Sequence, residues 1–438
     1  MSTKPETVAA LPFRDLRGMS RFFRLKPKHH QLVGGSLIML AGSVMVSVLN
    51  FGYNMVVARL LGRAAFGQVA AAVTLQLLVS SMTLSHQLVC AKFVAKNITL
   101  EQKSHTFRFL LRRSWIIGGS VGVALIATSR QMAEWLHMTS AMPIILLAIG
   151  MAFYIPLGVK RGGLQGVCHF RQLSGNFVIE TIVKMVAAVV LLKAGFGVSG
   201  AAAAISISVI AAYFYPRVPQ ELRKRPEQGL PVSFAEGIQA VTFFVGQVII
   251  NNIDILLVNH FFRPDVAGLY AAISLVGRVL YISSWQVVSA MFPIAAASDS
   301  NAKEPLSVIG VPLGFVTLLS LGFVALVGFL PNLVLHVLFG ANFRIAGSAA
   351  ENLLMLRTLA TAGYALSVVL MTYEMSRRIA NTGWFQLVIS GLVVVGITMF
   401  HNTLRDVIVV QQVLMVVLFL AVAVPFIRAR RSPIRGAA

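Results

Sequence analysis

Long apolar segments follow one another along almost the whole chain, with short polar connections between them. A helix needs about 20 predominantly apolar residues to cross the ~30 Å hydrocarbon core of a bilayer. The pattern therefore predicts an all-α integral membrane protein with twelve transmembrane helices. The predicted spans are 32–57, 68–91, 111–129, 141–158, 175–192, 198–214, 238–260, 267–292, 306–328, 349–371, 383–400 and 407–426.

The predicted spans fall into two groups of six. The segment 215–237 between the groups is charged and holds four prolines, which is typical of a loop outside the membrane. We predict an amino-terminal six-helix bundle over 32–214 and a carboxy-terminal bundle over 238–426. The remaining residues, 1–31 and 427–438, form polar basic tails.

Each half carries a similar short pattern where its second span begins. The sequence Gly67-Gln-Val-Ala-Ala opens the second span, and Gly268-Leu-Tyr-Ala-Ala opens the eighth. Matching patterns in matching places predict two halves related by an axis along the membrane normal, with a substrate path between them. The alternative is a coincidence of small residues at helix contacts.

The charge distribution sets the predicted orientation. Charged residues make up only 12% of the chain, against about 25% in soluble domains. The net charge of +22 could suggest nucleic acid, but 27 of the 37 Lys and Arg residues fall in segments on one predicted side. This positive-inside bias indicates that both termini are cytoplasmic. It attributes the basic charge to topology and to contact with membrane lipids, with no nucleic acid involved.

The amino-terminal tail has a pattern of its own. Arg14, Arg17, Arg21 and Arg24 recur at helical spacing, and apolar residues recur on another face. This pattern is typical of a short amphipathic helix on the inner membrane surface. A disordered basic tail is the alternative.

Polar stripes run along one helical face of the first two spans in each half. The stripes are Ser43, Ser47, Asn50 and Asn54; Gln76, Ser80, Thr83 and Gln87; Gln247, Asn251 and Asp254; and Ser274, Arg278, Tyr281 and Trp285. Four stripes in matching places predict a water-filled central cavity, where Asn50 and Asn54 are candidates to bind substrate. Hydrogen bonding between helices is the alternative for any one stripe.

Five charged residues lie inside predicted spans: Glu180, Lys184, Asp254, Arg278 and Arg357. A charge at the membrane centre costs about 3 kcal/mol even on insertion scales, so such residues mark functional or paired positions. Glu180 and Lys184 are four residues apart and can pair on one helix. The other three residues have no such local partner.

The buried arginines suggest an anionic substrate. Arg278, Arg357 and Arg59, at the outer end of the first span, present guanidinium groups that bind phosphate through two oxygens at once. Tyr281 and Trp285 share a helical face with Arg278 and can stack on sugar rings. These five residues are the candidates for substrate binding besides the two asparagines.

Acidic residues inside spans are candidates for ion coupling. Asp254 shares a face with Gln247 and Asn251, so it can take up a proton or bind Na⁺ together with amide oxygens. Glu180 is the second candidate. The alternative for Asp254 is an ion pair with one of the two buried arginines that only holds the bundle together.

Four segments resemble the Wzx-type polysaccharide flippases of the multidrug/oligosaccharidyl-lipid/polysaccharide (MOP) exporter superfamily. They are ARLLGRAAFG at 58–67, GGLQGVCHFRQLS at 162–174, GFGVSGAAAA at 195–204 and DILLVNHFFRPDVAGLYAAISL at 254–275. The resemblance implies two MATE-like six-helix bundles around a central cavity. It also implies alternating access that moves an undecaprenyl-diphosphate-linked oligosaccharide across a bacterial inner membrane. The expected driving force is a H⁺ or Na⁺ gradient, with no other cofactor.

The resemblance has consequences for single residues and for partners. Among the arginines, only Arg59 matches a family motif by position, and His169 stands where the family often has Arg. The expected partners are membrane lipids, glycosyltransferases and a polysaccharide polymerase. The alternatives are a MATE-like drug or cation antiporter, which would favour carboxylates in the cavity, and a membrane enzyme of polysaccharide assembly. The chain has no P-loop, HExxH or GxSxG motif to support an enzyme.

Overall fold

The computed structural model describes residues 27–225, 234–297, 305–343, 348–377 and 383–431. Within these ranges the chain forms thirteen α-helices and two short 3₁₀ turns, with no strand. The helices are α1 (Pro27–Lys96), α2 (Leu100–Ala127), α3 (Ser129–Trp135), α4 (Met142–Gly166), α5 (Phe170–Lys193), α6 (Gly197–Phe214), α7 (Phe234–Phe261), α8 (Pro264–Ala297), α9 (Pro305–Phe329), α10 (Pro331–Phe339), α11 (Ser348–Arg377), α12 (Gly383–Met399) and α13 (Leu404–Arg431). The predicted amino-terminal amphipathic helix lies outside the described residues.

Helix α1 contains the first two predicted spans. Its backbone leaves the helical region at Gly62, where φ is 76°, a conformation that glycine adopts without steric cost. The connection left at 58–67 between the first two predicted spans is therefore too long, because both arms, 27–61 and 63–96, stay helical up to this single residue. The change of backbone conformation between the two arms is confined to Gly62, so no longer loop is needed there.

The predicted count of twelve membrane helices is confirmed for the described residues. Ten helices are long and apolar enough to cross a membrane, with α1 counted once. Its two arms add one span, and the shorter apolar helix Trp384–Met399 completes the set. The chain is a multi-pass membrane protein. Two further helices, α3 and α10, were not predicted, and each follows the third span of its half.

Contacts between helices fall into two groups, one for each predicted bundle. Helix α1 packs on α2, α4, α5 and α6, whereas α11 packs on α8, α9 and α13, and α7 packs on α12. The groups meet where α1 lies against α7 and α8. The two predicted six-helix bundles are thus confirmed, and α1 is the helix that joins them.

The first part of the predicted linker packs onto the amino-terminal bundle. The Leu222 side chain is buried, and Ser104 Oγ lies within hydrogen-bond distance of two carbonyl oxygens, that of Leu222 at 2.9 Å and that of Lys224 at 2.8 Å. His169 Nε2 lies 3.4 Å from Glu221 Oε1. Residues up to 225 are therefore fastened to this bundle, while 226–233 lie outside the described residues.

Glycines let α4 approach its neighbours closely. A Cβ atom on Gly158 would lie 2.4 Å from the Thr83 carbonyl oxygen, and one on Gly118 would lie 2.4 Å from the Ala152 carbonyl oxygen. Small residues at helix contacts are the main way in which membrane helices gain packing energy, because lipid is as apolar as their side chains.

Adjacent glycines in α2 provide a matched test of this packing. Gly118→Ala should lower the free energy of unfolding by about 1–3 kcal/mol, because the new methyl group overpacks against α4. Gly119→Ala should be neutral, since a Cβ atom there has no atom within 4 Å. Thermal unfolding of both variants in detergent measures the difference. Equal stability of the two variants would contradict the described contact between α2 and α4.

Candidate substrate and ion site

Asp254 is the centre of a buried network in the carboxy-terminal bundle. Its Oδ2 accepts hydrogen bonds from Tyr270 Oη at 2.7 Å, Ser274 Oγ at 3.3 Å and Arg357 Nη2 at 2.9 Å. Gln411 Nε2 donates to Tyr270 Oη at 2.9 Å. The network joins α7, α8, α11 and α13, and its carboxylate is fully buried.

The structure thus contains one of the ion pairs that the sequence left open, between Asp254 and Arg357. Arg357 Nε also donates to Ser274 Oγ at 3.2 Å, so two nitrogens of this guanidinium group, Nη2 and Nε, donate hydrogen bonds. Asp254 Oδ1 has no hydrogen-bond partner among the described residues. Only one of the two carboxylate oxygens of Asp254, Oδ2, is therefore hydrogen bonded.

Arg278 lies beside this network but is bound differently. Its Nη2 is 3.4 Å from the Asn251 carbonyl oxygen, and its Nε has no hydrogen-bond partner within the described ranges. The side chain is partly exposed. On the following turns of α8, Tyr281 Oη accepts a hydrogen bond from Gln247 Nε2, and its ring centroid lies 6.3 Å from that of Trp285. This face combines a cation with two aromatic rings.

The predicted pairing of Glu180 with Lys184 is wrong. Glu180 instead binds Arg161 of α4 in a buried ion pair. Arg161 Nε also donates to Asn176 Oδ1 at 2.7 Å. Arg161 was expected in a cytoplasmic segment after the span 141–158, but α4 continues to Gly166 and carries the arginine into the bundle. A guanidinium group from a neighbouring helix satisfies the carboxylate better than a lysine on the same helix can.

Lys184 binds Asn50 instead. Its Nζ donates to Asn50 Oδ1 and lies 5.0 Å from the centroid of the Tyr53 ring. The side chain is 8% exposed. The lysine thus extends from α5 to the first arm of α1, the helix that joins the two bundles.

Part of the polar stripe of the second span is buried in contacts between helices and does not line the predicted cavity. Thr83 and Gln87 are buried, and Gln87 Nε2 donates to Gln165 Oε1 of α4 at 3.1 Å. These residues form interhelical contacts, which is the alternative that the sequence left open. In the first stripe, Ser43 Oγ lies 3.0 Å from Gln286 Oε1 and links the bundles, while Asn54 Nδ2 donates to the Asn50 carbonyl at 2.8 Å.

The repeated Gly-x-x-Ala-Ala patterns touch each other. A Cβ atom on Gly67 would lie 2.9 Å from Gly268 N, and one on Gly268 would lie 1.8 Å from the Arg63 carbonyl oxygen. Matching residues of two related halves can meet only close to the axis that relates them. The backbone contact therefore places this axis where the second arm of α1 meets α8, at the end that we call outer from the charge distribution.

Arg59 also lies at this outer end. Its Nε donates to the Leu338 carbonyl at 3.2 Å, and its Nη2 donates to the Val337 carbonyl. The guanidinium group thereby caps the carboxyl end of α10 from the other half. Nearby, Phe66 packs against Phe339 with the ring centroids 5.9 Å apart. Arg59 is exposed and stands apart from the buried network around Asp254.

The site residues predicted from the sequence are thus only partly brought together. Gln247, Asn251, Asp254, Arg278, Tyr281 and Arg357 lie in one cluster of helices, while Asn50, Asn54 and Glu180 belong to the other half. Tyr270, Gln411 and Arg161 were missed. Tyr270 lies on the face of the eighth span that also holds Ser274, so extending that stripe by one turn would have found it.

Comparison with known proteins identifies the family. The profile of the family described as "Polysaccharide biosynthesis protein" matches residues 56–347, about two thirds of the chain. The chain belongs to this family, which confirms the resemblance to the Wzx-type flippases of the MOP superfamily. Comparison with curated proteins yields no significant match.

Solved structures confirm the fold. An inward-facing multidrug resistance MATE family transporter of the MOP superfamily matches with a TM-score of 0.67 at 14% identity, covering 91% of this chain and 99% of that one. An outward-facing transporter of the same description has a TM-score of 0.59 at 14% identity, covering 92% and 96%. A MOP superfamily transporter from Pyrococcus furiosus, described as having a binding pocket of reverse polarity, has a TM-score of 0.51 at 15% identity over 92% and 96%.

The buried ion pair of the amino-terminal bundle can be tested against an exposed pair. Glu180→Gln should lower the free energy of unfolding by about 3 kcal/mol, because it leaves the Arg161 charge buried without a carboxylate. Glu134→Gln removes an exposed pair with Arg130, whose side chain is 88% exposed, and should cost less than about 1 kcal/mol. Unfolding in detergent measures both. A Glu180→Gln protein as stable as Glu134→Gln would show that the buried pair contributes little.

Proposed function

We propose that this protein moves a lipid-linked oligosaccharide from the inner to the outer leaflet of a bacterial inner membrane by alternating access, with both termini in the cytoplasm. The family and the transporter fold support a role in polysaccharide export. One observation favours an anionic cargo: the buried carboxylates Glu180 and Asp254 are each bound to an arginine. Further cations therefore remain for the substrate.

The proposed cargo is an undecaprenyl-diphosphate-linked glycan. Arg278 is the best placed of the predicted arginines, because its Nε is unpartnered within the described ranges and its side chain is partly exposed. Tyr281 and Trp285 offer ring faces for sugars, and Asn50 and Asn54 offer polar groups from the other half. Arg59 and Arg357 keep their predicted role only if they exchange their present partners for the substrate.

Ion coupling is the second part of the proposal. Asp254 holds Arg357 through Oδ2, and protonation would remove the negative charge that holds it. Arg357 would then be released toward the diphosphate, so that uptake of a proton and binding of the cargo are linked. Na⁺ at the unpartnered Oδ1, together with the amide oxygens of Gln247 and Asn251, is the other form of coupling. The role predicted for Glu180 in coupling stays a prediction.

A drug or cation antiporter is the alternative function, because solved structures of similar fold are described as multidrug transporters. A cationic drug needs a carboxylate that is free to bind it. Both buried acids in the described part of the chain already bind arginines, which favours the glycan. A transporter in this pathway would take its cargo from glycosyltransferases and deliver it to a polymerase, so an enzymatic role is not proposed.

Transport should depend on Arg278. Arg278→Ala should slow flipping of a fluorescent lipid-diphosphate oligosaccharide in proteoliposomes by at least about tenfold, because a charge-assisted contact is lost. Arg278→Lys should restore only part of the rate, since lysine lacks the planar fork. Arg263→Ala, which removes an exposed pair with Asp265, is the control. A wild-type rate for Arg278→Ala would exclude this residue from the mechanism.

Coupling can be tested separately through Asp254. The Asp254→Asn protein should still bind the lipid-linked glycan, because the asparagine mimics the neutral acid. It should lose the response of transport to an imposed H⁺ or Na⁺ gradient. Flipping is measured in vesicles with and without each gradient, on protein shown to be folded by size-exclusion chromatography. An unchanged response to both gradients would assign Asp254 to structure alone.

A further inference from the structure

The two short helices α3 and α10 are each bound by a side chain from the other half. Arg59, near the end of the first arm of α1, donates to the Val337 and Leu338 carbonyls in the last turn of α10. His260, near the end of α7, holds its Nδ1 2.9 Å from the Trp135 carbonyl at the end of α3. Each contact therefore occupies a carbonyl that the end of a short helix leaves without a partner inside that helix.

The internal repeat relates these two contacts to each other. Arg59 and His260 are 201 residues apart, which is also the separation of the two glycines that meet near the axis. The carbonyls that they bind, those of Val337 and Trp135, are 202 residues apart. The same contact between the halves is thus made once by an arginine and once by a histidine. Histidine, unlike arginine, changes its charge in the range around neutral pH.

A second histidine makes the histidine contact reciprocal. His137, which follows α3, holds its Nδ1 3.2 Å from the Asn259 carbonyl, so each half places one imidazole on a carbonyl of the other. A carbonyl only accepts, so Nδ1 is the donor in both rings and Nε2 carries the lone pair. Each ring can therefore take up a proton at Nε2 and keep its hydrogen bond across the boundary.

Two protons on this pair put like charges on stacked rings. The ring centroids of His137 and His260 lie 6.1 Å apart, with the ring planes 22° from parallel. The Trp135 ring stacks on His260 at 4.3 Å, and the face of an indole ring stabilises one positive charge. A single proton is therefore compatible with the contact. A second proton adds repulsion between charges that belong to different halves.

The surroundings supply no acid that cancels this repulsion. The other titratable and charged groups at the outer ends of the neighbouring elements are Arg63, Arg130, Glu134, Arg263, Asp265, His401, Arg405 and Asp406. Glu134 pairs with Arg130 and Asp265 with Arg263, at exposed positions. In the described part of the chain no carboxylate lies within salt-bridge distance of either imidazole. His401 stacks on the Phe261 ring at 3.9 Å and adds positive charge, not negative, in acid.

We propose that His137 and His260 form a proton-binding site on the outer side whose full protonation releases the contact between the two halves. This inference goes beyond the proposed function, because it depends neither on the cargo nor on Asp254. His137 is exposed, so protons reach it from the outer solution. The closed contact binds fewer protons than the open one, so by linkage it is favoured at high pH and is lost as the pH falls.

Spin labels on the two halves measure this contact directly. Thr139→Cys and Asn402→Cys place the labels at exposed positions on either side of the boundary, in protein that also carries Cys168→Ser. Pulsed electron paramagnetic resonance in nanodiscs gives the distance distribution between about pH 8 and pH 5, the range in which histidine changes its charge. The ratio of open to closed distances should rise by about three- to tenfold over this range, as expected for two partly screened charges about 6 Å apart.

Glutamine variants separate the histidine pair from other titrating groups. The double variant His137→Gln/His260→Gln keeps two neutral donors and should lose the response to pH. His336→Gln, at an exposed position of α10, is the matched control and should keep it. A ratio that stays constant or falls in acid in protein with both histidines would overturn the inference, and that measurement needs no change in the site. A full response in the folded double variant would overturn it as well.

Discussion

The backbones of Gly67 and Gly268 lie in contact, and the arrangement of the two halves depends on that contact. A side chain at either position would occupy the space of the other half, since a Cβ atom on Gly268 would lie 1.8 Å from the Arg63 carbonyl. The contact fixes how α1 and α8 meet at the outer end, and Arg59 adds a bond across the same boundary.

Buried charge is the second constraint, and the protein meets it in two ways. Arginine forms the pairs with Asp254 and Glu180, where its fixed fork also reaches a neighbouring Ser274 or Asn176. The two pairs are not equally saturated, because Asp254 Oδ1 has no hydrogen-bond partner within the described ranges. Lys184 and Arg278, which have no carboxylate within salt-bridge distance among the described residues, instead contact the neutral oxygens of Asn50 and Asn251.

The helices could be predicted from the sequence because the thickness of the membrane fixes their length. The two halves could be predicted because the pattern repeated in each of them is short and continuous in the sequence. The pairing of the charges could not be predicted in the same way. Glu180 has a lysine four residues away, yet its partner is Arg161 on another helix, and only the packing of α4 on its neighbours decides that. For Asp254 the sequence left two candidate partners, Arg278 and Arg357, and the tertiary contacts show that the partner is Arg357. The sequence thus identifies which residues must be neutralised, and the tertiary contacts decide which residue neutralises each of them.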